Sequence, residues 1–74
     1  MEERIVEIMK VVFGETTINV NTIQENMEQW NSLNHLILVS ELEEEFNVEF
    51  EPDEIAEMKS VKQIVFFVRQ KLLL

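Results

Sequence analysis

One glycine and one proline in 74 residues leave this chain few ways to turn sharply. Tight turns between strands draw on residues that accept positive φ or arrive with φ preset, and here Gly14 and Pro52 are alone in their kinds. That scarcity argues against a turn-rich β-fold and for a few helices. The length suits one small domain, residues 1–74, with no second core, so most of the apolar residues should be committed to packing.

Periodicity places the helices. Over residues 2–13, Ile5, Ile8, Met9 and Val12 recur at spacings of three and four, Val6 and Phe13 widen the stripe, and Gly14 stops it. Residues 14–31 show no clean period. They resemble a long connection pinned to the core by Ile18, Val20, Ile23, Met27 and Trp30, with room for one short helical turn. A second helix is expected over 32–46. At about 100° per residue its core face carries His35, Leu38, Val39, Leu42 and Phe46. Leu33 and Ile37 then point away from the core with Ser40 and Glu44, and Leu36 lies on the flank. Residues 47–50 form a brief extended link. Pro52, Asp53 and Glu54 open a short third helix, about 53–58. Ser60 caps a fourth, about 61–73, whose core face is Val61, Ile64, Val65 and Val68. The expected fold is all-α: a small four-helix bundle with a long loop between helices 1 and 2 and a short helix 3.

The net charge of −9 is unevenly placed. Lys and Arg occur only at Arg4, Lys10, Lys59, Lys62, Arg69 and Lys71, whereas twelve carboxylates lie between Val11 and Met58. Such a field repels nucleic acid and anionic membrane and attracts basic protein surfaces. The N-terminal stretch MEERIVEIMKVVF lacks the basic-then-apolar order of a signal peptide, and no apolar run approaches the roughly 20 residues that span a bilayer. A soluble, cytoplasmic monomer is the expectation, with no nucleic acid and no membrane among its partners.

Catalysis by the chain itself is not supported. Ser32 and His35 are three apart on a helix, but the wheel turns His35 toward the core and no Gly-rich oxyanion loop accompanies the serine. One His and no Cys give no zinc site, and the acidic run lacks the EF-hand spacing, so no metal site is expected beyond nonspecific association of divalent cations with the glutamates.

Ser32 remains. Either it caps helix 2, or Asn31 does and Ser32 sits in the first turn. Both readings leave its hydroxyl exposed at the positive end of a helix, where an esterified anion would gain about 0.3–1 kcal/mol. The stretch WNSLNHLILVSELEEEF, residues 30–46, resembles the acyl carrier proteins, in which Asp-Ser-Leu opens the second helix and a Leu-Glu-Glu-Glu-Phe-like segment closes it. The matching residues are Asn31, Ser32 and Leu33, then Leu42, Glu43, Glu44, Glu45 and Phe46, and the register continues through Val48, Phe50, Met58 and Val61.

The resemblance implies that Ser32 carries 4′-phosphopantetheine, transferred from coenzyme A, whose thiol holds an acyl group as a thioester in fatty acid or polyketide biosynthesis. It implies two kinds of partner: a phosphopantetheinyl transferase, and acyl-loading and acyl-processing enzymes with basic docking patches. Asn31, Leu33, Leu36, Ile37, Glu41 and Glu44 become the recognition residues. His35, Leu38, Val39, Leu42, Met58 and Ile64 become the wall of an acyl pocket. The Trp-x-Ser-Leu-x-His pattern is closest to specialised stand-alone carriers. Two departures stand out: Asn31 where the family has Asp, and Ile37 where many fatty-acid carriers have Glu. An unmodified acidic interaction module of the same fold, and a peptidyl or D-alanyl carrier, are the alternatives.

Overall fold

The computed structural model describes residues 1–73 and contains four α-helices and one 3-10 turn among them. Helix α1 spans Glu2–Phe13, α2 Ser32–Phe46, α3 Pro52–Glu57 and α4 Val61–Leu72, with the 3-10 turn at Gln24–Asn26 inside the long first loop. The expected bundle is what forms. Its boundaries shift little: α3 begins at Pro52, and α4 ends at Leu72 with Leu73 as its cap. Leu74, which closes the stretch SVKQIVFFVRQKLLL, lies outside the described residues.

Local chemistry explains each terminus. Gly14 adopts φ 64° and ends α1 with its amide on the Lys10 carbonyl. That left-handed turn costs a residue without a Cβ nothing. Asn47 ends α2 the same way at φ 55°, one of the few side-chain-bearing residue types that tolerate it. At the other end of α4, the Ser60 hydroxyl accepts the Gln63 amide at 3.1 Å. Helix α3 opens with a capping box, in which the Glu54 carboxylate accepts the Glu51 amide at 2.7 Å.

The core is contributed by every segment except α3. Ile5, Ile8, Met9 and Phe13 come from α1, Leu38, Val39 and Leu42 from α2, and Val61, Ile64, Val65 and Val68 from α4. In α1 the wheel is turned slightly from expectation, so Phe13 is buried and Val12 packs at the margin. Among the described residues, every fully buried side chain is apolar. The loop is pinned by Ile18, Met27 and Trp30, whereas Ile23 is half-buried and Val20 is exposed. Nearby, the loop is also held through its backbone. The Gln24 amide donates to the Lys59 carbonyl at 2.8 Å and the Val61 amide to the Thr22 carbonyl at 3.0 Å, an isolated antiparallel bridge between Ile23 and Ser60. No described helix is long and apolar enough to cross a membrane.

Candidate functional site

The start of α2 is the most heavily framed point of the loop. The Asn31 side chain accepts the Asn34 amide at 2.9 Å, and its carbonyl accepts the His35 amide at 2.8 Å. Asn31 is therefore the cap and Ser32 the first helical residue, which decides between the two sequence readings. The amides of Ser32 and Leu33 have no intrahelical acceptor at that position and add to the positive end of the helix. Ser32 is exposed, and its hydroxyl has no hydrogen-bond partner among the described residues.

Around it the frame is tight. The Asn34 amide group donates to the Gln29 carbonyl at 2.8 Å, the Gln24 amide group to the Trp30 carbonyl at 3.1 Å, and the Trp30 backbone amide to the Met27 carbonyl at 3.0 Å. Trp30 is buried, with its ring centroid 5.5 Å from that of Phe13. An exposed hydroxyl thus sits on a corner held by several hydrogen bonds.

The expected recognition residues share the solvent side. Leu33, Leu36 and Ile37 are 68%, 59% and 43% exposed, values high for large apolar side chains on one helix turn. Asn31, Glu41 and Glu44 are exposed as well. Together they form a patch of apolar side chains edged by carboxylates and beginning at Ser32.

The expected pocket residues fall inside. Leu38, Leu42, Met58 and Ile64 are fully excluded from water and Val39 nearly so, all within one core cluster. They meet as packed core rather than as the wall of an open cavity. His35 differs from them. It is half-buried and spends both ring nitrogens on hydrogen bonds, to the Trp30 indole at 2.8 Å and to the Ile55 carbonyl at 2.9 Å. A groove of about 520 Å³ lies elsewhere, between the first loop and the start of α4, lined by Ile23, Gln24, Glu25, Lys59, Ser60 and Gln63.

Two features escaped the sequence reading. Glu43 holds the α2–α3 connection, with its carboxylate accepting the Phe50 amide at 2.9 Å and its carbonyl the Val48 amide at 3.1 Å. Nothing in a run of three glutamates marks which one turns inward. The Trp30–His35 bond was detectable in principle, since the two residues flank the cap at the spacing of a helix-start staple. No described group of His, Cys, Asp and Glu could hold a metal ion.

Residues 3–68 match the family described as "Phosphopantetheine attachment site". The chain belongs to that family. Among solved structures it is similar to the holo acyl carrier protein of Geobacter metallireducens, determined in solution by NMR, with a TM-score of 0.86 and 26% identity over 97% of this chain and 85% of that one. No curated protein matches it in sequence. Family and fold together make it a non-catalytic carrier with covalent 4′-phosphopantetheine as cofactor. Carriers of this family work with a phosphopantetheinyl transferase and with acyl-processing enzymes in general. An exposed hydroxyl beside unpartnered helix-start amides is chemically fit for such an ester.

Proposed function

We propose that Ser32 is the attachment serine and that the chain presents an acyl group, as a thioester on the arm, to enzymes that dock on α2. The observation that carries this is the free, exposed Ser32 hydroxyl at the first position of α2, in a chain whose family is defined by such an attachment. In the transfer, Ser32 Oγ forms a bond to the phosphorus bearing the pantetheine arm of coenzyme A. The pyrophosphate bond breaks, adenosine 3′,5′-bisphosphate leaves and the hydroxyl proton passes to base. The new phosphodiester anion then lies at the positive end of α2, worth about 0.3–1 kcal/mol. The arm supplies the thiol that this cysteine-free chain lacks.

Leu33, Leu36 and Ile37 with Glu41 and Glu44 form the docking surface, suited to partners that combine a basic rim with an apolar centre. Ile37 makes that centre greasier than a glutamate would and favours dedicated partners over general fatty-acid enzymes. Leu38, Val39, Leu42, Met58 and Ile64, with His35 at their edge, would line the space taken by an acyl chain, but only after the packed core opens. The surface charge fits a soluble, cytoplasmic monomer.

Intact mass after incubation with coenzyme A, Mg²⁺ and a promiscuous phosphopantetheinyl transferase tests the assignment. The expected result is one phosphopantetheine increment, absent in Ser32→Ala. A folded chain that gains nothing favours the second reading, an unmodified interaction module. The feature behind that reading is the neutral Asn31 at a position where the family carries a charge. Whether the cargo is acyl, peptidyl or D-alanyl follows from which partner loads the arm.

A further inference from the structure

The two hydrogen bonds of His35 fix its tautomer. An indole N–H only donates, so at 2.8 Å from Trp30 Nε1 the imidazole Nδ1 must accept. A carbonyl only accepts, so at 2.9 Å from the Ile55 oxygen the imidazole Nε2 must carry the proton and donate. One arrangement satisfies both: a neutral ring protonated on Nε2.

The positions of the two partners give this ring its leverage. With Asn31 as cap, Trp30 immediately precedes it and His35 is the fourth helical residue. Those are the sites where an apolar pair commonly staples the incoming chain to a helix. Here the staple is a directed hydrogen bond between rings lying 6.1 Å apart and 26° from parallel. Ser32 lies inside the stapled loop. On its other side the same imidazole holds α3, a helix that buries no side chain of its own. Among the described residues, the polar ties of α3 to other helices are this bond and the Glu54–Lys71 ion pair at 2.9 Å.

We propose that His35 is a positioning residue for the modification of Ser32. Through Trp30 it sets the path of the chain into α2, and so the direction of Ser32 Oγ. Through Ile55 it makes that path depend on how α3 is seated. The proposal rests on Ser32 being the attachment serine. A shift of α3, as when cargo enters the core, is thereby transmitted to the attachment corner by one side chain.

The test is steady-state transfer of phosphopantetheine from coenzyme A to the full apo chain, comparing wild type with His35→Leu and His35→Gln, each checked for folding by circular dichroism. Leu keeps the bulk and removes both bonds; Gln can accept from the indole and donate to the carbonyl. The docking patch is untouched, so the expected result for His35→Leu is kcat down about tenfold, the scale of a small misplacement of a reacting atom, with KM within twofold. His35→Gln recovers most of that loss. The Trp30 indole N–H resonance moves in His35→Leu and returns toward wild type in His35→Gln. An unchanged kcat in folded His35→Leu overturns the proposal, as does a Gln variant no better than Leu. Should His35→Leu not fold, long-range ¹H–¹⁵N correlation on the wild-type ring decides, because a proton on Nδ1 contradicts the relay. A wild-type chain that takes no phosphopantetheine removes the attachment reading and this proposal together, whereas a modified wild type with an indifferent His35→Leu removes only the latter.

Discussion

Asn31 caps α2, and the proposed reading gives it a second role beside Ser32; the two can be separated. As a cap its Oδ1 accepts the Asn34 amide, a bond whose loss on replacement by Ala typically costs about 1 kcal/mol. As the neighbour of Ser32 it is, on the proposed reading, the residue that faces the transferase without a carboxylate. Asp keeps the capping oxygen and adds the charge. Asn31→Asp is therefore expected to speed phosphopantetheine transfer while leaving the denaturant midpoint nearly unchanged. Asn31→Ala should lower stability by about 1 kcal/mol and not speed transfer. Rates measured for the three chains under one set of conditions check both halves, and an Asp variant no faster than wild type removes the charge argument. Which residue caps α2 was not legible in the sequence, because Asn and Ser are nearly equal caps and adjacent. The Ile55 partner of His35 was equally hidden: the wheel predicts the side a residue faces, not the carbonyl it meets on another helix.

At the scale of elements, α3 stands apart from the other helices. Six residues long and with Ile55 only half-buried at the edge of the core, it is held in part by polar ties, one of which depends on ionisation. Glu54 carries it. The Glu51 amide, and after it the Lys71 ammonium, hold its carboxyl below the ordinary glutamate value. A value depressed by folding means the tie is fully present above the unfolded pKa of about 4.3 and is lost as pH falls from there through the depressed value. Amide exchange in α3 should accelerate across that acid window before the rest of the molecule loosens. Glu54→Gln should already exchange faster at neutral pH and lose the acid step; identical acid profiles for the two chains would contradict the account.

The helices that do bury a stripe were the legible ones. The four residues expected on the inner face of α4 are the four buried there, since a period of three and four residues is a property of the segment alone. The first loop was half legible. Ile18, Met27 and Trp30 pack as expected, but Val20 does not. The loop is held there by backbone pairing with residues that flank Ser60, and no local pattern announces a partner so distant in sequence.

Over the whole molecule, charge is the dominant unresolved strain. The net −9 resides mainly on α2, α3 and their connections, and the basic residues lie on α1, α4 and the turn before α4. Among the described residues, two cross-helix pairs follow that division, Arg4 on Glu45 at 3.1 Å and Lys71 on Glu54 at 2.9 Å, and a third joins α4 to α1, Arg69 on Glu2 at 3.5 Å. Most of the pairs are exposed and individually weak, so adding salt sacrifices little while it screens the repulsion among the carboxylates. The melting temperature is expected to rise between low and moderate ionic strength. A flat or falling melting temperature over that range would mean that the pairs outweigh the self-repulsion.

The bridge between Ile23 and Ser60 also bears on how the chain reaches and keeps its shape. This contact closes a long loop around α2 and α3, and its entropy must be surrendered before two backbone bonds repay it. A contact so thinly rewarded is expected to form late, so weakening it should change the folding rate little and hasten unfolding. The clasp on the first loop is then expected to govern how long the folded carrier persists.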